Sequence, residues 1–282
     1  MSTTLMRGLS LLEAIDLSGP ITVMELARLT GVDKSMVSRT VGALEPDGWV
    51  VRNNGKVEVG PRAALLGHAS TGARMLREAE PLVHAVAGVT GMLTQVYGLV
   101  GTRAVVLAAA GGRGPATPIG LTASVPLYAT AAGMTVAAQL SAEELGARLP
   151  KEPYPDPSAE LAAHAGFDSL AGAVGIPADS PPPPRMEFAR EREELDRRLA
   201  PIRGEGIAFD RAEVFAPVGC ISLTWTNAAL PAAFACTGLW VDLAAAETLI
   251  KAAIGAATAP GARPQDIVGA AAAVLGDGAA AG

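Results

Sequence analysis

Apolar residues recur at helical spacing near the start of the chain. They lie three or four positions apart, at Leu5, Leu9, Leu12 and Ile15. This spacing places side chains on one face of an α-helix, and a Ser-Gly-Pro turn ends the pattern. The sequence therefore predicts a first amphipathic helix over residues 5–16.

Two capped helices are predicted to follow the first. Thr22 and Glu25 form an S/T-x-x-E capping box, which indicates a helix over residues 23–29. After a short turn, Asp33 is a suitable N-cap for a third helix. That helix should end near Glu45, because the proline after it disfavours helical geometry in the preceding residue.

The pattern then changes from helical spacing to alternation of apolar and polar residues. The alternation lies on both sides of Asn54 and Gly55. Asn-Gly between two such runs is a strong hairpin signal, because a type I′ turn needs positive φ at both positions. Helix, helix, turn, helix and hairpin is the order of a winged helix-turn-helix domain, whose recognition helix fits the major groove of B-DNA.

The third helix has two chemically different faces. Val37, Val41 and Leu44 are expected to point to the core, whereas the opposite face carries cations and hydroxyls. Short polar side chains permit close approach to a duplex, and Lys and Arg neutralise phosphates or bind guanine. The predicted DNA-binding residues are Lys34, Ser35, Ser38, Arg39 and Thr40 on the helix and Arg52, Asn54 and Lys56 on the hairpin. In the alternative interpretation, the charges are only solvated and the domain binds another protein.

Charge is distributed unevenly along the 282 residues. Lys and Arg equal Asp and Glu in number within residues 1–62, so the whole net charge of −6 lies in the rest of the chain. A neutral head on an acidic body indicates that only the head approaches a polyanion such as double-stranded DNA.

Cysteine and histidine usage argues against several other classes of protein. Cys220 and Cys236 make no disulfide framework, and no Cys/His spacing is typical of a zinc site. The first residues lack the features of a signal peptide, and no stretch is typical of a membrane span. We therefore expect a cytoplasmic protein with no metal, no cofactor and no membrane partner. His68, His84 and His164 adjoin no nucleophile motif, so an enzyme fused to a DNA-binding head is the least favoured alternative.

The body is predicted to combine helices and strands. Residues 62–79, rich in Ala and Leu, indicate a helix that links the head to the body, and Pro81 is predicted to start a new helix. Four strands are predicted in two pairs, MLTQVYGLV with RAVVLAAA and CISLTWT with AAFACTGLWV. Thr130 is a suitable N-cap for a helix that begins with small residues. The last predicted helix covers Asp242–Ile254.

Two segments differ in composition from the rest of the chain. Residues 150–185 contain SPPPPR and further prolines, which predicts an inserted surface loop that is extended where the prolines cluster. Residues 261–282 are rich in Ala and Gly, and we predict that this tail is disordered.

Segments in both halves of the chain resemble the IclR family of bacterial transcription regulators. In the head the resemblance lies in MRGLSLLEAI, ITVMELARLTGVDKSMVSRTVGALEPDGWV and KVEVGPRAALLG. In the body it lies in LREAEPLVHAVAGVTGMLTQV, VPLYATAAGMTVAAQL and IRGEGIAFDRAEVFAPVGCIS. The last two segments are the more specific, because helix-turn-helix patterns are shared by many families.

The resemblance implies an α+β fold with three parts. A winged helix-turn-helix domain, residues 1–61, would be joined by a linker helix, residues 62–79, to an effector-binding and oligomerisation domain, residues 80–260. That last domain is expected to be GAF- or profilin-like, with a curved antiparallel sheet. The implied partners are an operator in double-stranded DNA, a small-molecule effector and further copies of the chain, in homodimers that often pair into tetramers.

The resemblance also implies a place for the effector, at the start of the helix capped by Thr130. The residues carried over by position are Val125, Ala131, Ala132, Asp210 and Cys220. Two positions depart from the family pattern: Met134 replaces a basic residue of many relatives, and Ala131 replaces a frequent Gly. Both departures predict a more apolar pocket than is usual in the family.

These expectations combine into one hypothesis, a transcription regulator whose operator binding is modulated by a small organic metabolite such as a carboxylate or an aromatic acid. The main alternative is a constitutive DNA-binding repressor whose body serves only to oligomerise. Ligand-dependent thermal stabilisation would distinguish the two.

Overall fold

The computed structural model describes residues 3–67, 70–111, 124–157, 188–215 and 218–280. The chain divides into two units, Met1–Arg74 and Met75–Gly282, which we call the head and the body. The head contains a two-stranded sheet and the body a six-stranded sheet.

The head begins with the three predicted helices, which are α1 (Thr3–Ser18), α2 (Val23–Thr30) and α3 (Lys34–Leu44). Thr22 and Glu25 make both hydrogen bonds of the capping box, and Gly31 ends α2 in the left-handed conformation at a φ of 65°. Since each of these signals is local, the helix boundaries agree closely with the prediction.

The predicted hairpin forms the wing, with strands β1 (Val50–Asn53) and β2 (Lys56–Val59). Asn54 and Gly55 have φ angles of 49° and 78°, the positive values that a type I′ turn requires. The N–H of Ile21 donates to the carbonyl of Val57 at 3.0 Å, and the reverse bond measures 2.7 Å. Because Ile21 precedes α2, these two bonds fix the wing to the helix-turn-helix.

A small apolar core holds the head together. Its fully buried side chains come from α2, α3 and both strands of the wing, and they are Leu26, Val37, Val41, Val50 and Val57. Helix α1 adds two more buried residues, Leu11 and Ile15. The core therefore fixes which face of α3 points inward.

The connection between head and body differs from the single linker helix predicted over residues 62–79. It consists of two helices, α4 (Pro61–Gly67) and α5 (Thr71–Thr90). Pro81 does not start a helix but lies inside α5. Buried apolar residues on both sides of it form one continuous stripe, and their burial outweighs the cost of roughly 3 kcal/mol for proline in a helix interior.

Six antiparallel strands form the sheet of the body. In sheet order they are β5 (Ser124–Pro126), β4 (Arg103–Ala110), β3 (Leu93–Val100), β8 (Ala232–Leu239), β7 (Val218–Thr224) and β6 (Ile207–Phe215). The two predicted strand pairs, β3 with β4 and β7 with β8, are both present. Strands β3 and β8 meet at the middle of the sheet and join the two pairs.

Helices cover both faces of this sheet, which confirms the α+β fold class. One face packs against α6 (Ala131–Ala137), α7 (Ala142–Gly146) and α8 (Arg192–Glu205). The other packs against α5, α9 (Trp240–Ala245), α10 (Glu247–Thr258) and α11 (Pro264–Ala280).

The C-terminal region corrects two predictions. The prediction of a disordered tail over residues 261–282 is wrong for residues 264–280, which form α11. Ile267 and Ala271 lie one helical turn apart and are buried where α11 packs on α10, and alanine itself favours helix. The predicted closing helix Asp242–Ile254 is instead two helices, α9 and α10.

Some predictions fall wholly or partly outside the described residues. They include most of the proline-rich segment 150–185, together with His68 and His164. His84 is exposed on α5. Within the described ranges, none of the helices combines the length and the apolar character needed to span a bilayer.

Candidate functional site

The start of α3 is fixed by its N-cap. The carboxylate of Asp33 accepts hydrogen bonds from the backbone N–H groups of Ser35 at 2.9 Å and Met36 at 3.3 Å. The hydroxyl of Ser35 also donates to this carboxylate, and these bonds together hold the pKa of Asp33 below its usual value. The first turn of α3 is therefore held in place before any partner arrives.

The two faces of α3 are separated as predicted. Val37 and Val41 are fully buried in the head core. The side chains of Lys34, Ser38 and Arg39 are exposed. A helix with this arrangement presents two cations and a hydroxyl to whatever lies against its outer face.

Two of the predicted hydroxyl contacts are already engaged within the helix. Ser35 donates to Asp33, and Thr40 donates to the carbonyl of Met36 at 2.9 Å. Their oxygens can still accept a hydrogen bond, so they suit the amino groups of bases and not phosphates. The Nε of Arg39 lies 3.4 Å from the carbonyl of Ser35, while its side chain remains exposed.

The wing carries the remaining predicted residues. Asn54 and Lys56 are exposed at and beside its turn. Arg52 lies on β1 with its Nε 3.0 Å from Oε2 of Glu45, the residue that caps the end of α3. The Arg52 and Glu45 side chains are 35% and 39% exposed. Sequence reasoning missed Glu45, because opposite charges on either side of a turn follow no periodic pattern.

A second ion pair fastens the same turn to α4. Arg62 Nη1 lies 3.7 Å from Oδ1 of Asp47 and 3.3 Å from its carbonyl oxygen, and the guanidinium stacks 5.2 Å from the ring centroid of Trp49. The N–H of Arg62 donates to the carbonyl of Gly48 at 3.1 Å. The turn after α3 thus contacts both the wing and the first helix that follows it.

In the body, α6 begins where the sequence predicted. The N–H of Gly133 donates to the hydroxyl of Thr130 at 3.0 Å. Ala131 and Ala132 are buried, and a Cβ at Gly133 would lie 2.1 Å from the carbonyl oxygen of Pro126. Close packing therefore accounts for the small residues at this helix start.

The structure brings Ala132, Asp210 and Cys220 together. Asp210 on β6 and Cys220 on β7 are direct partners across the two strands. The backbone N–H of Ala132 faces the Cys220 thiol closely enough to lower its pKa, against the larger opposing effect of burial. Oδ1 of Asp210 also accepts from the N–H groups of Glu213 at 2.8 Å and Val214 at 3.2 Å, which closes the irregular part of β6.

Polar residues on the same sheet face were not predicted. Strand register places Gln95, Thr237 and Ser222 on the face that carries Cys220. Tyr97 and Thr237 donate their hydroxyls to Oε1 of Gln95 at 3.1 and 3.4 Å. Among the described residues, Nε2 of Gln95 and Oγ of Ser222 are buried without a hydrogen-bond partner. Because unpaired buried polar atoms are costly, these two suit a ligand that supplies the missing bonds.

Val125, which is predicted to bind the effector, and Met134, which departs from the family pattern, are also buried. Val125 lies on β5, the edge strand opposite to β6 in the sheet order, so the sheet does not place it beside Asp210. Met134 lies in the core cluster on the face that carries Cys220. The more apolar pocket and the binding roles themselves stay predictions.

Burial dominates the titration of the two ionisable groups at this place. It raises the pKa of Asp210 to about 6, against the opposing effect of the N–H groups that bind the carboxylate. Burial also raises the pKa of the Cys220 thiol well above its usual value, and the charge of Asp210 adds to that shift. A thiol that resists ionisation is a poor nucleophile, so Cys220 gives no support to an enzymatic function.

Sequence comparisons bear on the head alone. The model of the MarR family matches residues 9–56, which run from within α1 to the first residue of β2. A comparison with curated protein sequences finds no match. The match confirms a winged helix-turn-helix in the head.

Solved structures extend the comparison to the body. An IclR family transcriptional regulator from Brucella abortus matches with a TM-score of 0.53 at 18% identity, over 97% of this chain and 93% of that one. An IclR transcriptional regulator from Alicyclobacillus acidocaldarius matches with a TM-score of 0.57 at 16% identity, over 96% and 98% of the two chains. An IclR homolog from Microbacterium hydrocarbonoxydans complexed with 4-hydroxybenzoate matches with a TM-score of 0.57 at 19% identity, over 84% and 90%.

Together these findings define a protein with a winged helix-turn-helix head and an α+β body. This is the fold of the IclR family transcriptional regulators. The resemblance inferred from the sequence is confirmed at the level of the fold.

Proposed function

We propose that this chain is an IclR-type transcription regulator that binds double-stranded DNA through α3 and the wing. The observation that carries the proposal is the outer face of α3, where Lys34, Ser38 and Arg39 are exposed while Val37 and Val41 fill the core. A helix of this kind inserts into the major groove, where cations bind phosphates or guanine. Such a target implies a cytoplasmic location.

Self-association is part of the proposal. Large apolar side chains are exposed on two helices of the head: Leu5, Met6 and Leu9 on α1 and Leu65 and Leu66 on α4. Leu65 and Leu66 are 72% and 74% exposed. Exposed apolar residues clustered on a helix favour contact with another apolar surface, and a second copy of the head would supply one. A dimer would also present two recognition helices to two half-sites.

A small organic effector is the second part of the proposal. Its support is the polar face of the body sheet, where Gln95 and Ser222 have buried atoms without partners and Asp210, Cys220 and Ala132 lie together. The 4-hydroxybenzoate bound by the Microbacterium homolog favours a small carboxylate or an aromatic acid. The effector would act through a difference in affinity for two arrangements of the heads, because a ligand with equal affinity for both shifts nothing.

The first experiment tests DNA binding. Sheared genomic DNA is incubated with the purified chain, captured and sequenced. Enrichment of a few fragments that share a two-part motif supports the proposal, and the genes beside them would indicate the metabolite. Equal recovery of all fragments at physiological salt would contradict it.

The second experiment tests the effector. The unfolding temperature is measured with a panel of small organic acids and aromatic compounds that includes 4-hydroxybenzoate. A concentration-dependent increase supports an effector-binding body, because a ligand that binds only the native state stabilises it. No response across the panel would favour the constitutive DNA binder whose body only oligomerises.

A further inference from the structure

The wing and the recognition helix are joined by one charged contact. Arg52 projects from β1, and its Nε lies 3.0 Å from Oε2 of Glu45 at the end of α3. The two residues are seven positions apart, so the contact connects the end of α3 to the first strand of the wing.

This contact changes what Arg52 can contribute to DNA binding. The Nε of this guanidinium donates to a carboxylate, which partly neutralises its charge and fixes its orientation, so that only the Nη groups remain for a phosphate. Glu45 is also an acid beside a surface proposed to meet a polyanion, where a carboxylate repels the phosphate backbone. We therefore expect Glu45 to have a structural role that compensates for this repulsion.

The neighbouring contacts favour such a structural purpose. Asp47, two residues after Glu45, pairs with Arg62 in the same manner and connects the turn to α4. On the α4 side, the N–H of Arg62 donates to the carbonyl of Gly48 at 3.1 Å.

On the wing side, the N–H of Trp49 donates to the carbonyl of Leu44 at 3.1 Å, and the N–H of Gly60 donates to the carbonyl of Trp49 at 2.7 Å, so backbone bonds fix the base of the wing. Arg52 adds a side-chain contact from the turn to a point farther along β1.

We propose that Glu45 is a positioning residue for DNA binding, which holds Arg52 and thereby restrains β1 of the wing against α3, in addition to the backbone bonds with Ile21 that hold β2. Arg52 then acts through this contact and makes no phosphate contact of its own, which revises its predicted role. The proposal deepens the proposed function and rests on it, because the benefit of a fixed wing is realised only when both elements meet one duplex.

The two roles of Arg52 predict opposite effects of Glu45→Gln. If Arg52 contacts a phosphate, removal of the acid frees the guanidinium and tightens binding. If the pair positions the wing, the same change loosens the wing, and we expect this loss to exceed the gain from removing the repulsion between the carboxylate and the phosphates, so that binding weakens. Exposed ion pairs contribute little, so we expect Glu45→Gln and Arg52→Gln each to weaken binding by up to about five-fold.

The test uses the full chain and a mixed-sequence duplex over a series of KCl concentrations. The positioning role predicts weaker binding by both single variants and an unchanged salt slope for Arg52→Gln. It also predicts recovery of at least half the loss in the charge-swapped double variant Glu45→Arg/Arg52→Glu. Lys56→Ala serves as the comparison for a lost phosphate contact and should reduce the slope by about 0.9. Glu13→Gln removes the same charge from an exposed position on α1 and should leave affinity unchanged.

Hydrogen exchange without DNA provides an independent measurement. Amides of the wing should exchange faster in Glu45→Gln and in Arg52→Gln than in the wild type, while those of α1 should not change. Tighter DNA binding by Glu45→Gln, a slope reduced by about 0.9 in Arg52→Gln, or unchanged wing exchange would each overturn the positioning role alone. Absence of salt-dependent binding by the wild-type chain would overturn the proposed function and this inference with it.

Discussion

At the scale of single residues, the carboxyl of Asp210 is a charged group in a buried place. It is only 7% exposed, and burial raises its pKa to about 6. Between its usual pKa and about 6, the native state binds more protons at this group than the unfolded state does. Stability from this group therefore falls as the pH rises through that window.

We predict that Asp210→Asn removes this part of the pH dependence. The amide oxygen can still accept the N–H groups of Glu213 and Val214, so the local turn should persist. The variant should match the wild type near pH 4 and exceed it near pH 7, by at most about 3 kcal/mol. Urea unfolding at a series of pH values measures this difference. A variant less stable than the wild type at pH 7 would show that the carboxylate stabilises the fold.

The sequence was enough to predict the outer face of α3 but not the polar face of the body sheet. Lys34, Ser38 and Arg39 could be predicted because helical spacing determines which residues are exposed together. Gln95 and Ser222 could not be predicted, because they lie on strands far apart in the sequence and neither has a local pattern that distinguishes it from other strand residues. Only the register that joins β3, β8 and β7 places them on one face.

At the scale of elements, the predictions that held depend on local signals. The cap at Asp33 and the Asn54-Gly55 turn specify α3 and the wing within a few residues. The errors involve packing between distant elements. Pro81 is retained inside α5, and residues 264–280 form α11, because each segment buries an apolar stripe against the body. Composition alone does not reveal such a partner surface.

The packing of α11 makes a direct prediction. Ile267 is fully buried where α11 meets α10, whereas the next residue, Val268, is 52% exposed. Ile267→Ala should lower the free energy of unfolding by about 2 to 5 kcal/mol, while Val268→Ala should change it by less than about 0.5 kcal/mol. Chemical denaturation of both variants measures the contrast. Equal stability of the two would contradict the packing of α11.

The junction between α3 and α4 makes another prediction. A Cβ at Gly60 would lie 2.1 Å from the carbonyl oxygen of Gly48, so Gly60→Ala should displace the turn and destabilise the head by about 1 to 3 kcal/mol. The control is Gly8→Ala in α1, where nothing lies within 4 Å and alanine favours helix. Thermal unfolding should rank the control at or above the wild type and Gly60→Ala below it. Wild-type stability of Gly60→Ala would disprove the close approach.

At the scale of the whole molecule, the charge is divided unevenly, because residues 1–62 are neutral and the whole net charge of −6 lies beyond them. The head offers the cations that a duplex requires, and the body offers a sheet face with unpaired buried polar atoms. Acidic residues in excess elsewhere disfavour binding of DNA outside the head. The proposed function depends first on the claim that α3 binds the duplex.

The most direct test of that claim is the affinity of Arg39→Ala for a duplex recovered in the genomic enrichment. The matched control is Arg197→Ala, which removes the same charge from an exposed position on α8 of the body. Fluorescence anisotropy at fixed salt should show binding weakened by at least about five-fold in Arg39→Ala, and wild-type affinity in Arg197→Ala, with both proteins folded. Wild-type affinity in Arg39→Ala would contradict the assignment of α3 as the recognition helix.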